Sequence, residues 1–142
     1  MRRRNTSALT LAEQRLNSAH GRLVYAAWRV PSRNRYLPSV PGRWAAIEVL
    51  AHIVEFRDEA LRRLTVPNSE ARRPRSDCAG GCTKGLRRHT WEELMESLEA
   101  GHIEVCLRLR SEPPAWFGEL TYEHFARHVP ALEAWHASAA RE

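Results

Sequence analysis

Two histidines four residues apart, His124 and His128, lie in the stretch Tyr122-Glu123-His124-Phe125-Ala126-Arg127-His128 of a 142-residue chain. On an α-helix this spacing stacks both imidazoles one turn apart on a single face. One helix can then give a metal ion two nitrogen ligands. A further histidine, His52, stands upstream in a segment whose Glu48, Glu55 and Glu59 run along one side. Three imidazoles leave at least one position on a metal open to water or substrate, as catalytic sites do. Glu48 or Glu55 could orient His52 or relay a proton. The plainer alternative is a solvated acidic face with one histidine held by its neighbours, and periodicity leaves both open.

Four periodic segments must position these residues, and none of the chain reads as a convincing strand. The first spans residues 7–29, where Leu9, Ala12, Leu16, Ala19, Leu23, Ala26 and Val30 recur at three- and four-residue steps and Pro31 ends the run. His20 flanks that stripe, as a partly covered contact residue or as part of a pocket wall. Residues 31–43 form a loop broken by prolines and Gly42. The second segment spans residues 44–64 with a broad apolar arc, and His52 falls at its border, roughly 120° from the centre at 100° per residue. Residues 66–89 are rich in Pro, Gly, Ser and Arg, a length that suits either a cover over an active-site entrance or a crossover.

The third segment opens with Thr90-Trp91-Glu92-Glu93, a capping box. Trp91, Leu94, Leu98, His102, Val105 and Leu109 follow as one apolar stripe, in which His102 reads as structural or pocket-lining rather than ligating. Pro113 and Pro114 interrupt the chain, and Gly118 precedes the fourth segment, which turns Leu120, Phe125, Val129, Leu132 and Trp135 inward. His124 and His128 fall near the middle of that arc, where burying both imidazoles unpaired costs several kcal/mol. Pro130 is expected to kink the helix just after His128. His136 lies further round and is expected to be solvated.

The net charge of +5 and pI near 9.7 do not mark a nucleic-acid protein. Of 22 basic residues only Lys84 is a lysine, the arginines are scattered, and no helix carries a basic stripe with interleaved aromatics. No apolar window is long enough to span a membrane. The basic start Met1-Arg2-Arg3-Arg4-Asn5 is not followed by an apolar signal core, so the expectation is a cytoplasmic protein. Three cysteines make no disulfide framework. Cys78 and Cys82 read as loop thiols or a local redox pair, and Cys106 as core. The length suits one domain over residues 1–142, with 1–6 as a basic tail.

These segments give an all-α, four-helix bundle with a long connection between helices 2 and 3. Gly42-Arg43-Trp44-Ala45-Ala46-Ile47-Glu48-Val49-Leu50-Ala51-His52-Ile53 resembles the Trp-led second helix of the DinB/YfiT-like superfamily. Thr90 to Leu94 resembles the start of that family's third helix, and Tyr122 to Trp135 its last. The resemblance implies a divalent metal, commonly zinc or nickel, on His52, His124 and His128. It also implies kinship with bacterial thiol S-transferases and mycothiol-dependent maleylpyruvate isomerase, with a low-molecular-weight thiol as co-substrate, a small electrophile as substrate and a homodimer of side-by-side bundles. The Cys78–Cys82 loop and Pro130 depart from the family pattern. Two other functions compete: a non-catalytic, stress-associated metal-binding bundle, and a metal-dependent hydrolase. A carboxylate-rich di-iron bundle fits worse, because Glu123 and Glu133 lie off the apolar arc of the fourth segment.

Overall fold

A computed structural model describes residues 9–36, 44–65, 89–109 and 112–139. Among them every regular element is helical: α1 (Leu11–Trp28), a 3-10 turn (Ser32–Asn34), α2 (Ala46–Thr65), α3 (Trp91–Arg108), α4 (Ala115–Leu120) and α5 (Tyr122–Ala139). No described helix is long and apolar enough to cross a membrane.

Two of the starts are fixed by the same chemistry. The Thr90 hydroxyl accepts the Glu93 amide at 3.1 Å while the Glu93 carboxylate accepts the Thr90 amide at 3.4 Å. Thr10 and Glu13 repeat this box at the start of α1, at 3.2 and 3.1 Å. Each box satisfies amides that the first turn leaves without a helical partner, which supports a start at Leu11 rather than at Ser7. Gly118 precedes the last long helix as expected, but it lies inside the six-residue α4, which also takes Leu120, and Thr121 separates that helix from α5. Pro130 lies inside α5, on its exposed side.

Side-chain contacts fix the helix directions. Arg15 lies over the Tyr122 ring and Arg22 binds Glu133, so α1 and α5 run parallel. Asn17 meets Cys106 while His20 meets Glu99, so α1 and α3 are antiparallel. Arg35, whose carbonyl accepts the Ile47 amide, approaches Glu92, and Arg57 reaches Ser97, so α2 and α3 are parallel. His52 meets His124 and the earlier Trp44 meets the later His128, so α2 and α5 are antiparallel. The order is up, down, down, up. Each long helix packs on two others, α1 and α2 against both α3 and α5, around one apolar cluster. Parallel neighbours require the chain to return over the length of a helix, about 30 Å for 20 residues. The 25 residues between Thr65 and Trp91 make that crossover, which explains the long connection.

The middle of α2 is enclosed on every side. Residues 49–54 are all buried, because α3, α5 and α4 all contact this helix. His52 is therefore no border residue: it is 1% exposed. Trp44, Phe56, His124 and His128 close round its ring, which the apolar arc of α2 alone does not reveal. Further along, the guanidinium of Arg57 is 3% exposed and donates to Leu98 O at 3.3 Å, Ser97 Oγ at 3.0 Å and Asp58 Oδ1 at 3.0 Å. It occupies the space a side chain at Gly101 would fill. Gly101, not His102, is thus the inward residue at that turn of α3, and His102 is rotated to a half-buried position.

Gly101→Ala should lower stability by about 1–3 kcal/mol in urea unfolding. Helix propensity alone predicts a gain of roughly 1 kcal/mol. The sign of the change measures whether Arg57 can move without losing the partners of a buried charge.

Candidate metal centre

The α2–α5 seam brings His52, His124 and His128 together, with one donor nitrogen of each within 4.8 Å of the others. Antiparallel packing is what makes this possible: the second turn of α2 lies beside the first turns of α5. His52 Nε2 and His124 Nε2 face one another at 3.1 Å. Two nitrogens sharing one metal at about 2.0–2.1 Å stand roughly 2.9 Å apart at a right angle and 3.4 Å apart in a tetrahedron. The observed separation falls between these. His128, half-buried, closes the group on the side nearer Trp44. The donor set therefore fits a divalent ion that accepts imidazole nitrogen.

Burial holds His124 down to a pKa of about 2, with the neighbouring His128 and His52 adding to the effect. Burial and then Arg127 also lower His128. Both rings are neutral at pH 7, the form that ligates metal. In the metal-free site one Nε2–H of the close pair donates to the other ring's lone pair.

Aromatic rings form the walls. Phe56 stacks on His124 at a centroid distance of 3.9 Å, and Trp44 meets His52 edge-on at 4.9 Å. Trp44 also stands 6.5 Å from His128, the two rings stacked with their planes 19° apart. Neither was singled out as a site residue from sequence. Phe56 carried a usable signal, since it follows His52 by four residues and shares its face. Glu48, expected to orient His52 or relay a proton, directs its Oε1 to the Ala45 amide at 3.0 Å, at the start of α2. Glu55 is half-buried one turn beyond His52. Glu59, the third acid of the stripe, binds Arg63 at 3.1 Å.

His20 and His102 also meet, but on the α1–α3 seam across the bundle from this site. Their rings stack at 3.8 Å and 3°. They line an open groove of about 360 Å³ with Val24, Tyr25, Trp28 and Glu99. His20 Nε2 lies 3.3 Å from Glu99 Oε1, and burial holds His102 down to about 4. They are pocket-lining residues of a different pocket. Cys106 is half-buried beside His102 rather than part of the core. Cys78, Cys82, the arginines of residues 66–88, the tail 1–6 and the side chain of His136 lie outside the described residues.

The depressed pKa of His124 sets a direction for acid stability. The unfolded chain protonates this ring near 6.5 and the folded chain only near 2. Below pH 6.5 the unfolded state binds the extra proton, so stability falls as pH drops, by up to about 1.4 kcal/mol per pH unit for one such ring. Metal-free protein should lose stability between pH 6.5 and 4 in urea unfolding, and His124→Asn should flatten that slope. Compared with known proteins, the chain matches no family model, no curated protein and no solved structure.

Proposed function

We propose that the chain is a DinB/YfiT-like, metal-dependent enzyme that joins a low-molecular-weight thiol to a small electrophile. His52, His124 and His128 hold the divalent ion, zinc or nickel. The observation that carries this reading is the His52–His124 nitrogen pair at 3.1 Å, completed by His128 within the same 4.8 Å group. Three imidazole nitrogen donors with one ring half-buried match the pattern of a site that keeps a position for an exchangeable ligand. A divalent ion bound there would lower the pKa of a thiol enough to supply a thiolate at neutral pH. Trp44 and Phe56 brace the imidazoles and restrict water, and Trp44 offers a flat apolar surface to the electrophile.

Protein purified without added metal should carry close to one equivalent per chain by elemental analysis, and His124→Ala should carry less than a tenth of that. Zinc or nickel returned to the chelator-stripped protein at about 100 times its Kd should raise stability by roughly 2.7 kcal/mol, or Tm by about 10 °C. Less than a tenth of an equivalent in the natural chain, with no thermal gain, overturns the reading. Turnover of an electrophile that needs added thiol supports transfer, and turnover without thiol marks hydrolysis instead.

A second reading has its own support. His52 and His124 are only 1% and 2% exposed, as expected of an ion that holds a fold together. In a non-catalytic bundle, His128→Ala would lower metal affinity and Tm, and no thiol and electrophile pair would be turned over by the natural chain.

A further inference from the structure

The α1–α3 seam carries a second convergence of donor atoms, of different chemistry and on different helices. Asn17 of α1 faces His102 and Cys106 of α3, the last two spaced by four residues and so on one face of that helix. His102 Nε2 stands 3.0 Å from Asn17 Oδ1, Cys106 Sγ stands 3.6 Å from His102 Nε2, and Cys106 Sγ stands 3.8 Å from Asn17 Oδ1. A nitrogen, a sulfur and an oxygen thus form one small triangle.

Bond lengths of about 2.3 Å to sulfur and 2.0–2.2 Å to nitrogen and oxygen, at tetrahedral angles, place sulfur roughly 3.6 Å from the other two donors. They place nitrogen and oxygen roughly 3.4 Å apart. The observed edges lie within a few tenths of an ångström of these. We propose that Asn17, His102 and Cys106 form a second metal site, for a soft or borderline divalent cation such as zinc or cadmium. Thiolate and imidazole select such ions over magnesium or calcium, and a neutral amide oxygen as third donor leaves room for an exchangeable ligand.

The surroundings hold the imidazole in place. His20 stacks flat against the His102 ring, and Glu99 in turn fixes His20 Nε2 at 3.3 Å. Supporting contacts of this kind orient a ligating ring. In the metal-free chain the same three atoms satisfy one another by hydrogen bonds, and burial with the nearby Glu13 keeps the Cys106 thiol protonated. Cation binding breaks the S–H bond, forms the metal–sulfur bond and releases one proton to solvent. The Nε2 proton of His102 that faced Asn17 Oδ1 moves through solvent to Nδ1 and frees the ligating lone pair. No electron changes hands. The site is independent of the α2–α5 histidines, so it stands or falls apart from the proposed enzyme.

Cadmium chloride titrated into the full-length chain tests this, read by thiolate-to-cadmium charge transfer in the ultraviolet. The Cys78→Ser/Cys82→Ser background leaves Cys106 as the one thiol. The band should saturate at one equivalent, vanish on Cys106→Ser, and need about tenfold more cadmium on His102→Gln or Asn17→Ala. His52→Gln should leave it unchanged. Asn17 is exposed, so its substitution tests the site with the helices intact by circular dichroism. No band in the double-serine chain, or a band whose affinity neither His102→Gln nor Asn17→Ala alters, overturns the proposal.

Discussion

Two imidazole nitrogens pressed together in the interior of a helical bundle set the terms for the rest of this structure. A buried imidazole without a partner costs several kcal/mol, so His52 and His124 must face each other or share an ion. That requirement dictates where α2 and α5 touch and how far along each helix the contact falls. Trp44 and Phe56 are then the walls that pack against an already expensive pair. The antiparallel α2–α5 seam and the parallel α2–α3 seam follow from the same arrangement, because α2 sits between the helices it must join.

The bundle carries its polar chemistry at two seams on opposite sides. The α2–α5 seam is aromatic, and its donor group is built from nitrogen alone. The α1–α3 seam is half-open, and it mixes sulfur, nitrogen and amide oxygen beside a groove flanked by Tyr25 and Trp28. Up-down-down-up connectivity gives each seam one helix from either end of the chain and one from its middle. Neither site is assembled from neighbouring sequence. Each waits for the bundle to close.

Much of the fold was legible because local signals agreed with global ones. The Thr90-to-Glu93 box gave the start of α3 to the residue, and the His-x-x-x-His spacing placed two site residues on one face. The same threonine-to-glutamate spacing at Thr10 and Glu13 starts α1 four residues later than the apolar periodicity alone suggests. Other errors have a shared cause. A helical wheel assigns a border position to His52, whereas Trp44 before the helix and two histidines of α5 bury it from outside that arc. A wheel also gives glycine no weight. At Gly101 the partner helix fills the seam with an arginine, so the stripe was drawn through His102. Trp44 and Phe56 were legible as apolar, but only the folded geometry turns them into walls of a site.

The fit of Arg57 against Gly101 also bears on how such a chain can change over generations. The two residues lie 44 positions apart, yet a side chain at 101 and the guanidinium of Arg57 compete for the same space. A larger residue at 101 displaces the guanidinium from the partners of its buried charge. Loss of the guanidinium first leaves a hole that only a larger residue at 101 repairs. Drift at this seam must therefore pass through a disfavoured intermediate in either order. Related chains should carry the pair together or replace it together, a correlation that would identify the α2–α3 register in sequences too distant to align by their apolar stripes.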